Sequence, residues 1–294
     1  VPFTIILFFT LKPHRAAMIS VIGGWLLLPV VAYNVPGIPA YGKSTAISLG
    51  LILGGWLSGQ RQKADFKWQA YDLPMVMWCF SAIPTSLTNQ IGLYDGLSGS
   101  FGNIMTWGIP YLAGRIYFRD QEALRDLCLG IVIGGLLYLP LCLYEIRMSP
   151  RLNINFYGFF PHEWRQHYRY GGWRPIVFMQ HGLMVALWMA ISTTVAFWLW
   201  RGRIVERIKG IPMGFIVMAM SITTALCKSA NGWFTLVLGC GLFFVFRNAK
   251  SNLAMVLLLL VIPSYMLLRI TEVISAENVT MVAALSLIHI SEPT

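Results

Sequence analysis

Apolar residues come along this chain in long runs, each broken by a few polar or charged positions. The runs lie near 1–11, 16–34, 44–58, 71–87, 99–117, 126–144, 175–200, 211–227, 232–247 and 252–270. A helix needs roughly 20 mostly apolar residues to cross a bilayer, and most runs approach that length. The pattern predicts an all-α, polytopic transmembrane bundle of about ten spans, one domain over 1–284. The first run rises only about 16 Å at 1.5 Å per residue, about half the hydrocarbon thickness. It is expected to be the stump of a longer helix. No internal repeat or heptad pattern stands out.

Composition supports the membrane class. Apolar residues are 56% of the 294 and charged residues 12%, more apolar surface than a soluble core hides. The five cysteines, Cys79, Cys128, Cys142, Cys227 and Cys240, fall in apolar runs without CxxC or Cys/His spacing. They predict neither a disulfide frame nor a metal site, and no cofactor is expected. The segment 285–294 (LSLIHISEPT) resembles the in-frame translation of a sequencing adapter and is expected to be a non-native tail, the natural chain continuing beyond Ala284.

The formal charge of +10 would suggest nucleic acid in a soluble protein, so the loops are the test. Alternate loops at 12–15, 59–69, 115–125, 201–209 and 247–252 hold 14 of the 22 Lys and Arg. They read as cytoplasmic. The other side holds Lys43, Lys228, Arg269 and five arginines in one large extracytoplasmic loop at about 145–174: Arg147, Arg151, Arg165, Arg169 and Arg174. Topology does not call for them there. Guanidinium forks bind phosphate oxygens bidentately, so the cluster suits a diphosphate-bearing lipid; arginines snorkelling to lipid phosphates are the plainer reading. A patch flanked by membrane segments and facing outward does not suit nucleic acid.

Aromatics interleave with these arginines, among them Trp164, Tyr168 and Trp173. Such rings stack on sugars, and they equally form an interfacial belt; the sequence does not rank the two. Pro175 suits the first position of a helix, which places His181 two turns inside it, on the face of Arg174 and about 9 Å deep. Ionisable groups at that depth are read as functional, against a neutral histidine bonded between packed helices. Glu145 is a candidate acceptor-activating base, or simply the ion-pair partner of a nearby arginine. Lys228, in a short outer turn, can reach a lipid phosphate. Ser229 has no acid or His at triad spacing, and nothing in the spacing of His162 and His167 singles either out.

Several strings then form a set: EIRMSP at 145–150, YGFF at 157–160 with His162 behind it, GGWRPIVF at 171–178, HGL at 181–183 and CKS at 227–229. Together they resemble the O-antigen polymerase and O-antigen ligase-like bacterial membrane proteins, over most of 16–284. The resemblance implies a metal-independent, multi-pass glycosyltransferase of the bacterial inner membrane. Such an enzyme moves glycan from an undecaprenyl-diphosphate carrier to a sugar hydroxyl at the periplasmic face. The diphosphate would be held by Arg174 and Lys228 with Arg147, Arg165 and Arg169, sugars by Trp164, Tyr168 and Trp173, and the base would be His181 or Glu145. Its partners would be the carrier-linked glycan, membrane lipids and other polysaccharide-assembly proteins. The family usually carries a second large outer loop, of which 271–284 would be only the start. A transporter or flippase for a lipid-linked glycan or small solute is the alternative, and a non-catalytic assembly subunit a third reading.

Overall fold

The computed structural model describes residues 1–35, 37–59, 66–248 and 253–271; the expected tail at 285–294 and the loop expected at 272–284 lie outside them. The protein is mostly helical. In chain order the helices are α1 (Pro2–Thr10), α2 (Pro13–Leu27), α3 (Lys43–Leu57), α4 (Leu73–Phe80), α5 (Ala82–Thr88), α6 (Leu93–Asn103), α7 (Ile109–Tyr117), α8 (Gln121–Met148), α9 (Leu152–Tyr157), α10 (Gly182–Arg201), α11 (Met213–Leu226), α12 (Ala230–Asn248) and α13 (Leu253–Ile270). Three antiparallel hairpins, absent from the all-α reading, join some of them: β1 (Tyr33–Val35) with β2 (Ile38–Tyr41), β3 (Tyr168–Arg169) with β4 (Gly172–Trp173), and β5 (Arg207–Ile208) with β6 (Ile211–Pro212).

Among the described residues, three helices are long and apolar enough to cross a membrane: Gln121–Met148, Gly182–Arg201 and Ala230–Arg247. The expected spans at 44–58 and 252–270 fold at close to their predicted lengths, as α3 and α13, while others fold as shorter pieces, and proline accounts for much of that shortening. The run at 16–34 stops being helical at Leu27 because Leu28 precedes Pro29, which drives Leu28 into the extended region (φ −76°, ψ 142°). The run at 71–87 breaks between α4 and α5, since Pro84 has no N–H for the carbonyl of Phe80. In the run at 99–117, α6 passes through a π-helical segment at Ile104–Gly108 into α7, just before Pro110; a π-turn absorbs the bond that the proline lacks.

The long helices lie side by side. Helix α8 packs on α10, and α10 on α11 and α12. Val132, Ala196, Met213, Ile216 and Met220 fill the part of this group toward Arg201, while Leu26, Tyr138, Cys142, Val185 and Met189 fill the end near residues 177–179. Since α8 ends where α10 begins, one end of the group carries Met148, Gly182 and Ala230, and the other carries Gln121, Arg201 and Arg247. Lys12 Nζ lies 2.8 Å from Glu122 and Arg15 Nε 2.6 Å from Asp126, which His14 also meets at 3.1 Å. These pairs join two segments that loop charge assigns to one side of the membrane. They also match both carboxylates of the His14, Glu122 and Asp126 cluster with cations.

Candidate functional site

The end of α8 begins the site. Ser149 adopts φ +82° and Pro150 follows, so the helix stops; α9 is capped by Gly158 at φ +77°. A single 3-10 turn at Trp164–His167 leads into the β3–β4 hairpin, whose two central residues, Tyr170 and Gly171, have φ of +49° and +66°. Two positive φ values are the signature of a type I′ turn. The hairpin pairs Tyr168 with Trp173 and Arg169 with Gly172, and the N–H of Arg174 donates to the carbonyl of His167 at 2.8 Å, continuing the ladder.

Residues opposite one another on a hairpin share a face, and alternate residues change face. His167, Arg169, Gly172 and Arg174 therefore take one face, and Tyr168 and Trp173 the other. Lys228, on the turn between α11 and α12, joins the first face: its Nζ donates to the carbonyl of Tyr170 at 3.0 Å and lies 2.1 Å from where a Cβ on Gly172 would stand. Only glycine leaves room for it. On the opposite face Trp173 meets Trp164 at 5.5 Å and Tyr168 at 5.2 Å between ring centroids. The hairpin thus sorts the cations from the three aromatic candidates.

Arg174 is 1% exposed, and its Nε and one terminal nitrogen have no partner among the described residues. Its Cδ would lie 2.7 Å from a Cβ on Gly182, so the α10 N-terminus closes on its aliphatic stem. Burial first, and then Arg169, push its pKa down to about 10, still charged at neutral pH. No described carboxylate bonds to it. Unpaired buried charge is expensive.

Three histidine rings lie together, and two of them, His167 and His181, feel the charge of this guanidinium. The centroids of His162 and His181 lie 4.4 Å apart, His167 and His181 5.4 Å, and His162 and His167 5.8 Å. His167 is fully buried with neither ring nitrogen partnered among the described residues. Desolvation, followed by the neighbouring histidines and then Arg174 and Arg169, pushes His167 and His181 down to about 4. They are neutral at pH 7. His181 caps α10, its Nδ1 accepting the N–H of Leu183 at 3.0 Å, while His162 Nδ1 accepts that of Glu163 at 2.7 Å. A neutral imidazole that accepts at Nδ1 carries its proton on Nε2, so both rings have a donor to offer. His167 alone keeps a lone pair uncommitted.

Glu145 is fully buried, and it pairs with no arginine among the described residues. Its Oε1 accepts the N–H of Leu152 at 2.9 Å, and its Oε2 those of Ile176 and Val177, both at 2.7 Å. It is a clamp between the end of α8 and the segment after the hairpin. That clamp also moves the predicted helix start: 175–181 is not helical, Val177 sits at φ +53°, and α10 begins at Gly182. Arg174 and His181 still meet, through the bend of this segment and not through helical periodicity.

Of the other candidates, Arg169 is half-buried beside Arg174, Arg147 is exposed on the last turn of α8, and the side chain of Arg165 is outside the described ones. His162 and His167 come into the site unannounced by the sequence, because the bend, not their spacing, brings them to His181. Asn153, 1% exposed with its amide unpartnered among the described residues, gave no signal in sequence either. No protein-family model, curated protein or solved structure matches the chain.

Proposed function

We propose that this chain is a membrane glycosyltransferase of the O-antigen polymerase and ligase type, which takes glycan from a polyprenyl-diphosphate carrier at the extracytoplasmic face of a bacterial inner membrane. The observation that carries this reading is the buried guanidinium of Arg174, set near Arg169, Lys228 and a group of three histidines, with no carboxylate bonded to it among the described residues. A diphosphate supplies the missing charge. The fork of Arg174 matches two phosphate oxygens, the positive end of the α10 dipole lies at the same place, and the Nε2–H groups of His162 and His181 add further donors.

In the proposed reaction the acceptor hydroxyl attacks the anomeric carbon, and the bond from that carbon to the diphosphate oxygen breaks with its electron pair. Arg174 and Lys228 stabilise the charge that develops on the leaving diphosphate. His167, with its free lone pair, takes the acceptor proton. The aromatic face formed by Trp164, Tyr168 and Trp173 lies across the hairpin from the cations and suits sugars farther along the glycan. His181, a candidate base on sequence grounds, becomes a donor to the phosphate, and Glu145 holds the loop.

The test is Arg174→Ala in cells that make the polymer, with protein abundance followed in parallel. Loss of polymer or ligated glycan, with carrier-linked precursor accumulating outside and protein abundance unchanged, is the expected result. Unchanged glycan contradicts the reading, and precursor trapped inside points to a flippase.

A further inference from the structure

The end of the bundle opposite the histidines carries a second basic concavity. A cavity of about 720 Å³ lies between the last turns of α10 and α12, lined by Arg201, Arg203 and Arg247 and by Trp198, Phe243 and Phe246. The aromatic wall is well made. Trp198 Nε1 donates to the carbonyl of Gly239 at 2.9 Å, and its ring meets Phe243 at 5.9 Å and Phe246 at 6.1 Å. None of the three arginines forms an ion pair among the described residues; in a cavity of similar size lined by Lys67, Arg115 and Arg119, Arg115 is matched by Asp72 at 3.2 Å.

Cations at the last turn of a helix are favoured by its dipole, which accounts for Arg201 and Arg247 one at a time. It does not account for Arg203, held at φ +57° in a conformation costly to a non-glycine residue while it lines the same cavity. Arg201 and Arg247 are the last residues of two helices long and apolar enough to span a membrane, so the cavity sits at the polar boundary. Its α12 side opens to lipid, since only 6% of the apolar window of that helix is buried inside the protein.

We propose that this cavity binds the phosphate of an acidic phospholipid, with the three arginines on the headgroup and Trp198, Phe243 and Phe246 along the glycerol and upper acyl chain. The ligand chemistry is a phosphate ester, and the aromatic wall selects the lipid over free phosphate. A basic pocket between spanning helices is suited to such headgroups. The inference is independent of the reaction at the opposite end.

The experiment is native mass spectrometry of the full chain in detergent. Phosphatidylglycerol is titrated against phosphatidylcholine of the same acyl chains, with and without millimolar inorganic phosphate. Selective phosphatidylglycerol adducts that phosphate does not displace are expected. The double variant Arg203→Gln, Arg247→Gln is expected to weaken them about five-fold per arginine, roughly 25-fold for the pair. The variant Arg207→Gln, Lys209→Gln removes the same charge outside the cavity and is expected to leave the affinity unchanged. Equal loss in both variants, equal binding of phosphatidylcholine, or displacement by inorganic phosphate overturns the proposal.

Discussion

Glu145, near the C-terminal end of α8, and Arg174, just after the β3–β4 hairpin, are both buried and do not bond to each other; the carboxylate is accounted for by its own partners. The carboxylate is filled by three backbone N–H groups. Glu145→Ala leaves those donors unpaired at about 1–3 kcal/mol each, so it is expected to lower stability by about 3 kcal/mol or more, read as thermal unfolding in detergent. Lost activity at an unchanged melting temperature would return Glu145 to the chemistry. His167 and His181 give a pH signature. Folded, they protonate near 4, against about 6.5 in an unfolded chain. Between those values the unfolded state binds more protons, so stability falls as pH drops from about 6.5 to about 4 and is level, for these groups, above that window. His167→Asn is expected to flatten part of the fall. A wild-type profile level throughout the window contradicts the assignment. At this scale the sequence offered the charged candidates by type, because arginines in a loop that the charge pattern assigns to the opposite side are conspicuous. It could not offer His162 or His167, since two imidazole rings of ordinary spacing carry no mark of the neighbours a bend will give them.

The β3–β4 hairpin decides which side chains meet. Its type I′ turn at Tyr170–Gly171 puts Arg169 and Arg174 on the face that Gly172 leaves open to Lys228. In Gly172→Ala the new methyl displaces only the far end of a flexible side chain. The melting temperature is expected to hold, while affinity for inorganic diphosphate falls about ten-fold, the worth of one charge-assisted hydrogen bond, measured by calorimetry. Unchanged affinity would remove Lys228 from the site. The hairpin was not legible beforehand: YRYGGW has no alternating apolar pattern, and its strands are two residues long. The start of α10 was misread for a related reason. Pro175 is a sound helix-start signal, but the carboxylate of Glu145, thirty residues earlier, takes the N–H groups of Ile176 and Val177 and holds them out of the helix.

Across the whole molecule, apolar run length located the helices well and their continuity poorly. Runs interrupted by Pro29, Pro84 and Pro110 fold as shorter or distorted helices, while α8 carries Pro140 inside an unbroken helix; in α8 the apolar sequence continues far enough on both sides to hold it. The ion pairs between residues 12–15 and 122–126 close one end of the bundle, and the cationic basin occupies the other. A fold that keeps Arg174 1% exposed without a partner among the described residues carries a cost that the rest of the molecule must offset. Residues kept for the fold do not behave that way, and residues kept for a ligand do. The most direct measurement is therefore the melting temperature and inorganic diphosphate affinity of Arg174→Met, side by side with wild type. Met preserves much of the stem packed on Gly182 and removes the buried charge, so stability is expected to rise by about 1 kcal/mol or more while diphosphate binding is lost. A lower melting temperature, or diphosphate binding that survives, would contradict the account.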